Sequence, residues 1–149
     1  MRFGNTSRER LATCHPLLRQ VLEAAIATTD MDFTVLEGYR NEADQNEAFR
    51  RGRSQLRYPK SKHNHTDDGP CSLAVDIAPF WTRKPHIRWN RPEEFRWLAG
   101  YVMGVAVPIL AGSGYAIRWG GDWDRDGDHH DSKFQDLPHL ELVELPSTT

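Results

Sequence analysis

Leu73-Ala74-Val75-Asp76-Ile77-Ala78-Pro79 is the stretch on which the reading of this chain turns. Leu73 to Ile77 has the length and apolar content of a short buried strand, bounded by Pro79, which cannot donate to a ladder. An ionised carboxylate inside such a run is costly unless it is paired or metal-bound. Taken alone, Asp76 reads equally well as a metal ligand or as an aspartate in a buried salt bridge or at a strand edge. Two histidines shift that balance. Ser61-Lys62-His63 precedes the strand, and Asp136-Leu137-Pro138-His139-Leu140-Glu141-Leu142 follows far downstream. Two imidazoles and one carboxylate (His63, Asp76 and His139) make a three-ligand set for a catalytic zinc, with the fourth position left for water. Asp136, three residues before His139, is then placed to handle that water's proton.

Outward from this strand, helices and short strands alternate. Ser7 is expected to cap a short helix through Ala12. Pro16 suits the first turn of a second helix to about Thr28, with Leu17, Leu18, Val21, Leu22 and Ala25 on one face. Asp32 to Glu37 reads as a strand ended by Gly38, and Asn41 caps a polar helix through about Arg51. Residues 52–72 are loop-like. Pro92-Glu93-Glu94 opens the longest helix, with acids in its first turn. Its expected buried stripe is Leu98, Tyr101, Val102, Val105 and Ile109, ending near Gly112. Ala116 to Trp119 is a strand, 120–133 an acidic loop, and His139 to Val143 the last strand. The class is α+β, a small antiparallel sheet packed by helices in a single domain over 1–149.

Composition narrows the function classes. At 149 residues with 27 % charged and 38 % hydrophobic, the chain is long enough for a real core and ordinary for a globular domain. A net charge of −2 gives no global pull toward nucleic acid or anionic lipid. Arg50, Arg51, Arg53 and Arg57 form a local basic stretch that reads as a solvated helix end and loop. Cys14 and Cys71 are too few for a disulfide framework and form no Cys-x-x-Cys pair. Neither the N-terminus nor the apolar stretch from Leu98 to Ala111 has the character of a signal peptide or a membrane span. The expectation is synthesis in the cytosol without a signal peptide.

The ordered motifs resemble the zinc D-Ala-D-Ala metallopeptidase superfamily, which includes D,D-carboxypeptidases, vancomycin-resistance dipeptidases and phage L-alanyl-D-glutamate endopeptidases. Its pattern S-x-H-x-x-G-x-A-x-D is met by Ser61, His63, Ala74 and Asp76, and [ED]-x-x-H by Asp136 and His139. Gly38-Tyr39-Arg40 with Gln45 matches a G-Y-R-x-x-x-x-Q element whose arginine lies at the substrate. Val35 to Arg40, Ala74 to Pro79 and Arg118 to Trp123 look most like short phage endolysins, and the likeness runs over about residues 10–143. One departure is an insert of about six residues between His63 and Asp76, which also carries the rival His65.

The resemblance implies a Hedgehog/D,D-peptidase-like fold with a zinc cleft, and zinc held by His63, Asp76 and His139. It further implies Asp136 as general base, Arg40 at the oxyanion, and Ser61 and Gln45 toward the substrate. Glu141 is a rival base, or a residue that supports the site. The substrate implied is peptidoglycan, cut at L-Ala-D-Glu by a monomeric endolysin that a phage pore protein releases to the periplasm or wall. A D,D-carboxypeptidase and an inactive zinc-stabilised wall-binding or virion module are the alternatives. The absence of a wall-binding domain suggests a Gram-negative host.

A second metal is a separate matter. Asp122, Asp124, Asp126, Gly127 and Asp128 follow the start of a calcium loop, but position twelve is Lys133 rather than a bidentate Glu. Asp131 is a candidate to compensate, but the missing glutamate argues for weak calcium binding or none. His129 and His130 could coordinate a transition metal, but a surface histidine pair is more often simply exposed. All five tryptophans lie between 81 and 123, where they serve either a groove or the core.

Overall fold

A computed structural model describes residues 1–128, 130 and 133–147. In chain order the elements are α1 (Asn5–Leu11), α2 (Pro16–Thr28), β1 (Phe33–Glu37) and α3 (Glu42–Arg50), then a 3-10 turn (Lys62–Asn64). They continue with β2 (Thr66–Asp67), β3 (Gly69–Pro70), β4 (Ala74–Pro79), α4 (Pro92–Leu110), β5 (Tyr115–Trp119) and β6 (His139–Glu144). The four-stranded sheet has the order β1-β4-β6-β5, antiparallel throughout, and β2 and β3 form a separate exposed hairpin. The expected α+β class is what the chain adopts.

Strand alternation divides the sheet into a core face and a polar face. Val35, Val75, Ile77, Ile117, Trp119, Leu140 and Leu142 point into a core shared with Leu18, Val21, Leu22 and Ala25 of α2 and Leu98, Ala99 and Val102 of α4. The observed stripe of α4 is Phe95, Leu98, Ala99, Val102, Ala106 and Leu110. Tyr101, Val105 and Ile109, expected in the stripe, are only partly buried and pack against its flank. Leu98 is 1 % exposed. Leu98→Ala is expected to cost about 3 kcal/mol, read as a lower urea midpoint at unchanged slope.

Two local expectations change. Helix α1 starts earlier than expected, at Asn5 after Gly4, so Ser7 caps nothing. Its buried hydroxyl instead bonds Thr34 Oγ1 at 2.8 Å and accepts the Val35 N–H at 3.0 Å, docking α1 on β1. The 52–72 segment is not plain loop, since it contains the 3-10 turn and the β2–β3 hairpin. Within the basic stretch, Arg50 and Arg51 bond Glu47, while Arg57 lies 4.6 Å over the Phe49 ring. His15 caps α2, its Nδ1 accepting the Leu17 N–H. Both cysteines are free, with burial pushing the Cys14 thiol up to about 12. No helix among the described residues is long and apolar enough to cross a membrane.

Candidate active site

Cross-strand register assembles the polar face. Asp76 lies opposite His139 across β4–β6 and opposite Glu37 across β1–β4, while Glu141 lies opposite Arg118 across β5–β6. Side chains at such positions stand close enough to interact directly. A bulge between Val35 and Glu37 shifts the register of β1, bringing Glu37 level with Asp76. His63 comes from outside the sheet. Ser61 caps the 3-10 turn, accepting the His63 N–H, while Asn64 returns a bond to the Ser61 N–H. That turn is stitched to the segment after β1: the Arg40 N–H donates to His63 O at 2.8 Å and Asn64 Nδ2 to Arg40 O at 2.9 Å.

His63, Asp76 and His139 converge, with ligand-capable atoms all within 4.8 Å of one another. His63 Nδ1 donates to Gly38 O at 2.7 Å, which leaves Nε2 with its lone pair, buried and without a hydrogen-bond partner. That nitrogen is 3.4 Å from Asp76 Oδ1, and His139 Nδ1 is 3.1 Å from the same oxygen. The far nitrogen of His139, Nε2, donates to Glu141 Oε1 at 2.8 Å. A buried unpartnered nitrogen beside a carboxylate and a second imidazole is a donor set that fits a divalent metal preferring N and O ligands. His65 is exposed and turned away, its Nδ1 bonded to Cys71 O.

The three clustered groups interact strongly. Burial opposes charge on Asp76, but His63 and His139 outweigh it and hold its carboxyl far below the usual range. Burial likewise opposes charge on His139, yet its bonds to Asp76 and Glu141 push that imidazole up. Asp136 behaves differently. Burial raises its pKa and the Asp76 charge adds to this, with the two imidazoles and Arg40 offsetting part.

Arg40 is held as a fork. Nε and Nη2 bond the two Glu37 oxygens at 2.9 and 2.7 Å, Nη1 bonds Gln45 Oε1 at 2.9 Å, and Nη2 lies 3.8 Å from Asp76 Oδ2. Gln45 departs from the expected substrate contact. It is 0 % exposed, and its amide is consumed by Arg40, Asn64, Ser54 and Leu56 O. It therefore fixes Arg40 and the 52–57 loop from behind. Ser61 borders the cleft as well as capping the turn. Glu141 is 5 % exposed, with one oxygen on His139 and the other accepting from Arg118 Nη2 at 2.7 Å, so it is not free to act as a base.

Two glycines hold the close approaches this geometry needs. At Gly120 a Cβ would overlap Asp136 O, and the Asp136 N–H donates to Gly120 O at 2.8 Å. At Gly38 it would strike Thr13, Arg10 O and Cys14. Gly120→Ala must push the Asp136 backbone away, and misplacement of about 1 Å costs on the order of 10²-fold in rate. Hydrolysis by this variant is expected to fall by about that factor with bound metal unchanged; wild-type activity would remove Gly120 from the site.

Around the candidate metal site, Trp123 lies against His139 at 5.5 Å between ring centroids and stacks on Phe134 at 6.3 Å. Trp119 is core, and Trp89 and Trp97 are largely exposed. The acidic loop brings Asp122, Asp124 and Asp126 carboxylates within 4.8 Å. Asp128 is not in that group; one of its oxygens accepts the His130 N–H. His129 and Asp131 lie outside the described residues.

Comparison with known proteins gives one consistent result. Residues 1–143 match the family model described as phage L-alanyl-D-glutamate peptidase. The L-alanyl-D-glutamate peptidase of Escherichia phage T5 is 36 % identical over 146 residues, covering 95 % of this chain and 98 % of that protein. The peptidoglycan L-alanyl-D-glutamate endopeptidase CwlK of Bacillus subtilis (strain 168) is 30 % identical over 145 residues, covering 87 % and 73 %. The crystal structure of Serratia marcescens L-Ala D-Glu endopeptidase ChiX superposes with a TM-score of 0.71 at 28 % identity, covering 96 % of this chain and 90 % of that one. With the match running from the first helix through the strand that carries His139 and Glu141, this chain belongs to the phage L-alanyl-D-glutamate peptidase family.

Proposed function

We propose that this chain is a zinc-dependent peptidoglycan peptidase that hydrolyses the L-Ala-D-Glu amide of stem peptides, acting as an endolysin on the wall. The observation that carries it is the convergence of His63, Asp76 and His139, with His63, His139, Asp136 and Arg40 lining a cleft of about 540 Å³. The relatives' shared activity supplies the bond. In this reading His63 binds through Nε2, His139 through Nδ1 and Asp76 through its carboxylate. When bound there, zinc supplies Lewis acidity and lowers the pKa of a water from 15.7 toward about 7.

The chain's own groups do the rest. Asp136 takes the proton of the attacking water and returns it to the leaving amine, so that the amide breaks as a free amine rather than an amide anion. Arg40, locked by Glu37 and Gln45, presents a fixed cation to the oxyanion that develops on the alanyl carbonyl. Glu141 sets the His139 tautomer by accepting the Nε2–H hydrogen bond, which keeps the proton on Nε2 and the Nδ1 lone pair free for the metal. Arg118 in turn holds Glu141. Glu141→Gln is expected to weaken metal binding by about 10–100-fold, the usual loss for an outer partner. Competition with a chromophoric chelator measures it, and unchanged affinity would remove Glu141 from this role. The acidic loop, with Lys133 at its twelfth position, is assigned no part in the hydrolysis.

A synthetic stem pentapeptide ending in D-Ala-D-Ala offers both candidate bonds at once. Chromatography with mass detection is expected to show a product with glutamate at its new amino terminus. Released D-Ala instead would make the chain a carboxypeptidase, and metal binding with no product would leave only a wall-binding module.

A further inference from the structure

Two lobes of opposite character meet at Arg40, Arg53 and Asp136, which border both. Besides these, the first lobe is lined by the cations Lys60, Lys62, Arg118 and Lys133 against the acids Asp124 and Glu141. Arg118 is tied to Glu141, but Lys60 and Lys62 form no ion pair among the described residues. The second lobe, about 470 Å³, carries the carboxylates Glu37, Asp44, Glu47 and Asp76 and, among its described residues, no cation of its own. Glu37 is bonded to Arg40, and Glu47 to Arg50 and Arg51. The charge therefore changes sign across the position where the amide must lie, in a chain whose net charge is only −2.

The substrate is asymmetric in the same way. On the acyl side of an alanyl-glutamyl bond there is a methyl group and a neutral amide. On the amine side, the glutamyl residue has two carboxyl groups, of which only one continues the peptide. The other is a free carboxylate, or an amide where the wall is modified. Unpaired lysines attract that carboxylate, whereas the second lobe offers it only acids, most of them already paired, and the two arginines it shares with the first.

We infer that Lys60 and Lys62 form a carboxylate-reading subsite for the glutamyl residue, and that the acidic lobe takes the uncharged acyl side. This fixes the direction of the stem peptide and makes the enzyme discriminate free from amidated glutamate. The inference rests on the hydrolase reading above. It is tested with two peptides, N-acetyl-L-Ala-D-Glu-L-Lys joined through the γ-carboxyl and the same peptide with its α-carboxyl amidated.

The ratio of their kcat/KM values is expected to favour the free carboxylate by about tenfold at low salt, the worth of one close charge pair at a protein surface, and to shrink at high salt. In the double variant Lys60→Gln/Lys62→Gln the ratio is expected to fall to about twofold or less, mainly through poorer cleavage of the carboxylate peptide. A wild-type ratio near one, or an unchanged ratio in the double variant, overturns the subsite. The wild-type comparison stands even if the variant misfolds. Failure to cut either peptide overturns the hydrolase reading together with this one, and so is distinct from loss of the preference alone.

Discussion

Asp136→Ala is expected to lower hydrolysis by about 10²–10⁴-fold while bound metal stays at the wild-type level. The separation of the two readouts follows from position. Asp136 borders the cleft and interacts electrostatically with Asp76, His139, His63 and Arg40, but it is not one of the three clustered ligand residues. Its backbone is pinned to Gly120, so truncating the side chain removes a carboxylate without moving the loop. Burial and the neighbouring Asp76 charge raise its pKa, which strengthens it as a base. The charged form is the active one, so wild-type activity is lost as pH falls through that raised value. Full activity in the variant would eliminate Asp136 as the base, and lost metal would make it a ligand instead.

His63→Ala is expected to abolish activity and metal binding together, whereas His65→Ala keeps both. The drop in metal affinity should exceed the about 10–100-fold typical of losing an outer partner, because a direct ligand is removed. The contrast is sharp because the two histidines are two residues apart and differ in everything that matters. His63 is 2 % exposed and points an unpartnered nitrogen at Asp76. His65 is exposed and bonded to Cys71 O. Metal content per chain and hydrolysis, measured on both variants, decide it. Metal loss in His65→Ala with retention in His63→Ala would reverse the assignment.

Legibility in the sequence followed the range of the interaction. The β4 and β6 strands were readable because Asp76 interrupts an apolar run and His139 opens an alternating one. Helix α2 was readable because Leu18, Val21, Leu22 and Ala25 repeat at helical spacing. Arg118 was not, since its tie to Glu141 exists only through β5–β6 register. Glu37 became a clamp for Arg40 through a bulge that leaves no mark in local composition. Gln45 sits in a polar helix that reads as surface, and only the fold of the 52–64 segment over it makes it wholly buried. The serine two positions upstream favoured His63 over His65, but the distance to Asp76 could not separate them, because the insert breaks the count. The capped 3-10 turn and its bond to Gly38 O do so.

Digestion of purified peptidoglycan by the intact chain, with and without a zinc chelator, followed by mass spectrometry of the products, tests the central claim most directly. New amino-terminal glutamate that disappears on chelation and returns with added zinc is the expected result. Glutamate termini that persist without metal would contradict the zinc site, and a digest with no new termini, from protein carrying one zinc per chain, would contradict the hydrolase itself.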